Sequence, residues 1–341
     1  MTTTVPLIYS FAGYEGVADA VADHVISAQN MTLYNTLDKE AIAKLKVAAA
    51  QRPSLTSDVS SASISGISSP RPSFSRNGSS SNTNATNGSP SEERLSSSRR
   101  KKDIKKKAEQ RFKIAISGGS LIKIMHLGLL AREEEIEWDK WDIYFADERL
   151  VPFDSPDSNY GSAKRDIFDL IKSEKKPNVF HIDESLISDP QECADAYEKL
   201  LIDNFAKKDS VKLPMFDLLL LGCAPDGHIA SLFPNFGEQL REKLAWCLPV
   251  EKAPSGPENR ITLSIPVICH AHRVTFVVEG LTKAPIMRII MERPEKGLPS
   301  SIVNEGAAGR VTWFVDDDAL KDCYDITKKK YKFLSIPEPS S

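Results

Sequence analysis

The chain has 341 residues, 41% hydrophobic and 27% charged, a globular composition with room for one large domain or two ordinary ones. No apolar run approaches the roughly 18 residues of a membrane span, and MTTTVPLIYSFAGYEG lacks the basic and apolar regions of a secretory leader. The net charge of −3 hides a split: residues 51–111 carry 12 Lys/Arg against 5 Asp/Glu, a balance of +7 that leaves the remainder at −10.

Val5–Phe11 is strand-like, and Gly16–Ile26 places Val17, Ala20, Val21 and Val25 at helical spacing. From about Arg52 to Ser98 serine and asparagine dominate, with Phe74 the single aromatic residue. Such a stretch buries too little apolar surface to offset its ordering entropy, which predicts a disordered insertion over 49–98. The basic run RRKKDIKKKAEQR at 99–111 ends it. It reads as a solvated face or a frayed helix, or else as an arm for RNA or nuclear import.

Beyond it, strand-like runs alternate with helix-like ones. The strands are Phe112–Ile116, Trp141–Phe145, Val179–Ile182, Phe216–Leu221, Val274–Val278 and Val311–Val315. The helices are Leu121–Ala131, Ser162–Ile171, Pro190–Phe205, Phe236–Leu244 and Thr282–Glu292. The alternation predicts a doubly wound α/β fold with a mostly parallel sheet. One domain then comprises 1–48 and 112–333, with 334–341 as a tail. In such sheets ligands sit beyond the C-terminal strand ends.

Three segments of unusual chemistry fall there. Ser117-Gly118-Gly119-Ser120 joins a strand to a helix, as an ordinary turn with a serine cap or as an anion cradle. Asp147-Glu148-Arg149 follows the next strand as a surface turn, or as a place where Arg149 reaches an oxyanion. Asn159, just ahead of the following helix, can bind a sugar hydroxyl. The third segment is GCAPDGHIASLFP, 222–234, in which small residues after the turn suit a helix start. Asp226 stands two residues before His228, close enough to orient its imidazole. A structural histidine is the plain alternative, but a strand end and a Pro-Asp-Gly turn favour a general base.

Other candidates are weaker. Cys193, Cys223, Cys247, Cys269 and Cys323 contain no CxxC, which predicts free thiols in a reducing compartment. Cys269-His270-Ala271-His272 lacks the second ligand pair of a closed metal site. His24, His126 and His181 are isolated, and Trp138, Trp141, Trp246 and Trp313 read as core or rim aromatics.

GCAPDGHIASLFP, SGGS and ADERLVPFDSPDSNYG together resemble the 6-phosphogluconolactonase family, and the likeness continues through NRITLSIPVICHAHRVTFVVEG and GRVTWFVDDDAL. The serine-rich insertion with its basic end is similar to the fungal Sol branch, which includes lactonases and lactonase-like proteins associated with tRNA distribution. The resemblance implies the sheet shared with glucosamine-6-phosphate isomerase, and hydrolysis of 6-phosphoglucono-1,5-lactone to 6-phosphogluconate without metal or cofactor. An isomerase activity follows from fold analogy only. The implied catalytic pair is His228 and Asp226. Ser117, Gly118, Gly119, Ser120, Asp147, Arg149, Asn159 and Arg260 are the implied substrate contacts. The expected partner is a phosphorylated sugar lactone, with tRNA or nuclear transport linked through 99–111, no membrane, and a monomer in the cytoplasm or also the nucleus.

Three positions depart from the family pattern. Ala224 replaces the second glycine of G-x-G-x-D-G-H, Ser255 replaces a lysine in a proline-rich stretch, and Cys269 replaces the asparagine of PVxN. Placed together in one pocket, they predict an intact catalytic pair in a degraded cradle, with hydrolysis weak or lost. A catalytically silent scaffold is the competing expectation.

Overall fold

The computed structural model describes residues 5–34, 110–206 and 213–333. Strand β1 (Leu7–Phe11) leads into helix α1 (Tyr14–Tyr34). After the interval come β2 (Phe112–Ile116), α2 (Ser120–Leu130), β3 (Trp141–Phe145), β4 (Asp147–Arg149), α3 (Asn159–Asp166) and β5 (Asn178–Phe180). Then follow α4 (Pro190–Phe205), β6 (Leu218–Leu221), α5 (Gly237–Arg241), β7 (Cys247–Val250), β8 (Arg260–Leu263) and α6 (Ile265–His270). The chain continues through β9 (Val274–Val278), α7 (Ala284–Glu292), α8 (Pro299–Gly306), β10 (Val311–Asp316) and β11 (Lys328–Lys329).

Among the described residues eight strands form one sheet in the order β11-β1-β10-β9-β6-β2-β3-β5, and every pairing is parallel. The apolar runs are continuous because both faces are covered. Leu219 and Leu221 pack into one cluster with Tyr144, Phe276 and Trp313. Leu218 and Leu220 turn to the other face, against Ile114, Ile143, Phe314 and the buried side of α1 and α2. All four leucines are fully buried. Burying each such side chain is worth about 1.5–3 kcal/mol before entropy.

From β2 the chain steps outward to β3 and β5, then returns as β6 on the other flank of β2. The strand order therefore reverses between β2 and β6, the place where open α/β sheets form a ligand crevice beyond their C-terminal strand ends. The first residue after β2 is tied to β6 there, as the Ser117 N–H donates to Leu220 O at 3.0 Å.

Several expectations are corrected. Asp147-Glu148-Arg149 is not a free turn but β4, paired antiparallel with β8 in a second sheet, β4-β8-β7. No helix starts after His228. Ile229, Leu232 and Phe233 are all buried, and Ile229 and Leu232 bridge one another across a tight reversal with Ala230 at φ 48°. No serine caps α2, since the cap position is Gly119 at φ 70°, a conformation open to glycine. The Phe236–Leu244 helix shrinks to Gly237–Arg241, because the Glu242 carboxylate accepts from the N–H groups of Lys243, Leu244 and Ala245 and turns the chain out.

The expected insertion at 49–98, the tail at 334–341, and all of 99–111 except Gln110 and Arg111 lie outside the described residues. Arg111 is committed to the body, with Nε 2.7 Å from Asp142 Oδ1. Among the described residues no helix is long and apolar enough to cross a membrane.

Candidate active site

The loop after β6 holds the histidine. Its backbone closes on itself, the Gly227 N–H bonding Ala224 O at 2.9 Å and the Ala224 N–H bonding His228 O at 3.1 Å. Gly227 sits at φ 88° under Ile286 and Leu298, so a side chain would be strained there and crowded. This turn brings Asp226 Oδ1 to 2.6 Å from His228 Nδ1, with a second bond from the His228 N–H at 3.2 Å. A carboxylate only accepts, so Nδ1 carries the proton and the neutral ring presents Nε2 as a base. Burial lowers the His228 pKa below its ordinary 6.5, while Asp226 pulls it upward. The ring packs against Phe233, centroids 4.5 Å apart.

The second part is β4 with the start of α3. Glu148 is fully buried, and Oε1 accepts from the N–H groups of Arg149 (2.8 Å) and Asn159 (2.7 Å), Oε2 from that of Tyr160 (2.7 Å). It thus fills the open N-terminus of α3, where a negative charge suits both the free N–H groups and the helix dipole. Burial outweighs these bonds and pushes its carboxyl up to about 7. The sequence marks the Asp147-Glu148-Arg149 triplet but gives Glu148 itself no role, since a buried acid there looks like any surface acid.

Asn159 does not precede α3 but opens it, almost fully buried, with Nδ2 donating to Asp147 O at 2.8 Å. Its side chain lies against Gly118, where any Cβ would overlap Asn159 Oδ1 and Cγ. Gly118 is therefore required for the close approach of its loop to the start of α3. Asp147 accepts from Ser231 Oγ at 2.8 Å and lies 3.9 Å from Arg149 Nε. Ser231 is a further site residue that sequence reasoning misses.

Four buried polar atoms in these segments lack a hydrogen-bond partner: Ser117 Oγ, Asp147 Oδ1, Arg149 Nε and Asn159 Oδ1. Buried polar atoms are nearly always paired in native proteins, so a cluster of exceptions points to a polar ligand.

Arg260 plays a different part from a free cation. It is almost wholly buried, with Nε on Pro257 O at 2.8 Å and Nη2 on Ser255 O at 2.6 Å and Gly256 O at 3.2 Å. Nη1 lies 3.5 Å from Ser231 Oγ. It pins the 255–257 loop beside Ser231 and Asp147.

The three departures do not share one pocket. Ala224 is outside the left-handed region, whose non-glycine members among the described residues are Ala230 and Lys252, so its backbone needs no glycine. Ser255 is exposed on the pinned loop. Cys269 lies at the opposite end of the sheet. A Cβ on Gly306, near the start of β10, would come within 2.5 Å of its Sγ, and neighbouring His270 bonds Pro214 O ahead of β6.

The remaining candidates fall in structural places. His24 bonds Thr275, His126 bonds Asp166 O, His181 stacks on Tyr160, and all four tryptophans are buried. The five cysteines are free. Among the described residues no group of three His, Cys, Asp or Glu side chains could hold a metal.

The sequence pattern described as glucosamine-6-phosphate isomerases/6-phosphogluconolactonase matches residues 94–313. The chain belongs to that family. It is 62% identical to 6-phosphogluconolactonase-like protein 1 of Saccharomyces cerevisiae over 98% of both chains. It is 45% identical to a probable 6-phosphogluconolactonase of Schizosaccharomyces pombe, over 61% of this chain and 82% of that one. The solved 6-phosphogluconolactonase of Trypanosoma brucei superposes with a TM-score of 0.51 at 25% identity, covering 70% of this chain and 97% of that one. The parallel α/β sheet is accordingly that of the 6-phosphogluconolactonases.

Proposed function

We propose that the chain hydrolyses 6-phosphoglucono-1,5-lactone, with His228 as the base. The observation that carries this reading is the 2.6 Å contact between Asp226 Oδ1 and His228 Nδ1 at the switch point of the sheet. Nε2 takes a proton from water, and the water oxygen attacks the lactone carbonyl. The tetrahedral intermediate collapses with cleavage of the ring C–O bond, and the imidazolium returns its proton to the leaving alkoxide. Asp226 fixes the tautomer and stabilises the imidazolium. The Ser117–Ser120 loop and Arg149 hold the phosphorylated sugar. Gly118, Asn159 and Asp147 shape the cradle, and Arg260 acts as a positioning residue behind it.

With Ala224 in ordinary backbone and Cys269 remote, only Ser255 weighs on the cradle. The reading is thus a working catalytic pair with a weakened hold on substrate. The competing reading, a silent scaffold for tRNA distribution, rests on the basic run 99–111, of which Arg111 is already committed to Asp142.

Lactone hydrolysis above the spontaneous rate, followed with purified protein, tests the proposal. His228→Asn is expected to lower the enzyme-dependent rate at least ~100-fold, the scale of a lost general base. No enzyme-dependent rate in the parent protein, or an unchanged rate in the variant, refutes it.

A further inference from the structure

At the opposite end of the sheet, a cleft of about 970 Å³ opens between the N-terminal ends of β1, β6, β9 and β10. Asp217 lines it just before β6, whereas Gly222 begins the catalytic loop just after that strand. Five residue steps of extended chain, roughly 16 Å, separate the two.

The lining is positive in a protein whose body is acidic. Arg273, Arg310 and Lys329 all face the cleft. Arg310 Nη1 donates to Ala271 O, and Arg273 Nη2 approaches Met31 Sδ at 3.0 Å. Among the described residues none of the three forms a salt bridge within 4 Å, although the Arg273 charge reaches Asp217 across the cleft and draws its carboxyl down against the larger effect of burial. The facing acid, Asp217, is engaged by the Lys113 N–H at 2.8 Å and by Thr32. Asn304 is 6% exposed and its Oδ1 accepts from Trp313 Nε1 at 3.1 Å, so what it offers the cleft is its N–H₂. The cleft therefore offers cations and donors, the complement of an oxyanion. Two guanidinium groups suit phosphate oxygens in particular. Its volume is that of a small-molecule site, about 300–1,000 Å³, and its cations line a concavity instead of an extended outer face.

We propose that this cleft is a second site, separate from the His228 crevice, that binds the phosphate group of a small phosphorylated molecule. Arg273 and Arg310 hold the phosphate oxygens, and Asn304 donates from the wall.

The test is nuclear magnetic resonance of the full chain titrated with inorganic phosphate, against sodium chloride at matched ionic strength. Two reporters adjoin the cleft: the His24 ring, which lines it and bonds Thr275 at 2.9 Å, and the Trp313 indole N–H, which lies behind the wall and donates to Asn304 of the lining. Burial, and next Arg273, hold the His24 pKa down at about 4. A bound phosphate is expected to raise that pKa and to shift the indole resonance saturably. Arg273→Gln with Arg310→Gln is expected to weaken the affinity at least tenfold, while Arg310→Lys retains most of it and guards against a folding defect. Arg149→Gln, which alters the other crevice, should leave the indole titration unchanged. A shift no larger than that from chloride overturns the proposal. So does equal affinity in the double variant, loss of the shift in Arg149→Gln, or a response to an RNA oligonucleotide without one to phosphate. None of these outcomes depends on lactone hydrolysis.

Discussion

The side chain of Asn159 occupies the space that a Cβ on Gly118 would need. Through this one contact the loop after β2 is seated on the first residue of α3. Asn159 in turn holds Asp147 O through Nδ2 and Glu148 through its backbone N–H. The loop after β2, β4 and the start of α3 are thereby fixed to each other at the crevice.

Gly118→Ala is therefore expected to destabilise by about 1–3 kcal/mol, the usual cost of overpacking. In a domain of this size that lowers Tm by roughly 2–4 °C per kcal/mol. Asn159→Gly removes the obstructing side chain, so the Gly118→Ala/Asn159→Gly double variant should be destabilised by less than the sum of the two single effects. Thermal unfolding of the four proteins measures this coupling. Strict additivity would show that the two residues do not meet in solution.

The Asp226–His228 pair makes a prediction about pH. A general base works when neutral, so kcat/KM rises with pH through the His228 pKa. Burial, the larger influence, sets that pKa below 6.5, and Asp226 partly opposes it. Asp226→Asn removes the upward pull. The acid limb of the pH profile should then move to lower pH, while the maximal rate falls because the imidazolium is deprived of its counter-charge. A limb that moves upward, or a rate that does not fall, contradicts the arrangement.

The sequence carried the parallel sheet well because burial on both faces leaves continuous apolar runs. Phe112–Ile116 and Val274–Val278 end where their apolar residues do. Pro190–Phe205 was legible as a helix-like stretch, and in the fold Asp189 caps it, its carboxylate accepting from the Glu192 N–H at 3.0 Å. The small antiparallel sheet was not. Cys247–Val250 contains a proline, Arg260–Leu263 begins with an arginine, and Asp147–Arg149 is wholly charged, so none has a strand's apolar signature. Their pairing depends on partners more than a hundred residues apart in the case of β4 and β8. The Asp226–His228 pair was visible because both members lie in one turn. Glu148 and Ser231 act across segments, and only the folded chain shows which acid and which serine is buried. The mistaken grouping of Cys269 with Ala224 and Ser255 has the same origin, for a motif position does not say at which end of a strand it lies.

Separating those three positions yields the last prediction. Arg260 grips the 255–257 loop through backbone carbonyls, so the side chain at 255 can change without releasing the loop. Ser255→Lys breaks a 3.3 Å hydrogen bond from Arg260 Nη2 to Ser255 Oγ and leaves those carbonyl bonds in place. Ser255 is exposed beside the pinned wall, and a lysine there adds a cation near an anionic substrate. A charged hydrogen bond contributes about 1.5–3 kcal/mol, ten- to a hundredfold in affinity. Ser255→Lys should therefore lower KM for the phosphorylated lactone at least tenfold with little change in kcat. Ala224→Gly relieves no backbone strain and should leave KM nearly unchanged. Cys269→Asn is expected to harm the protein. It inserts a larger amide where Sγ already lies close to Gly306, costing about 1–3 kcal/mol of stability without altering KM. Steady-state kinetics and thermal unfolding of the three single variants distinguish these effects. A gain in substrate affinity from Cys269→Asn, with none from Ser255→Lys, would reverse the assignment of which departure weakens the cradle.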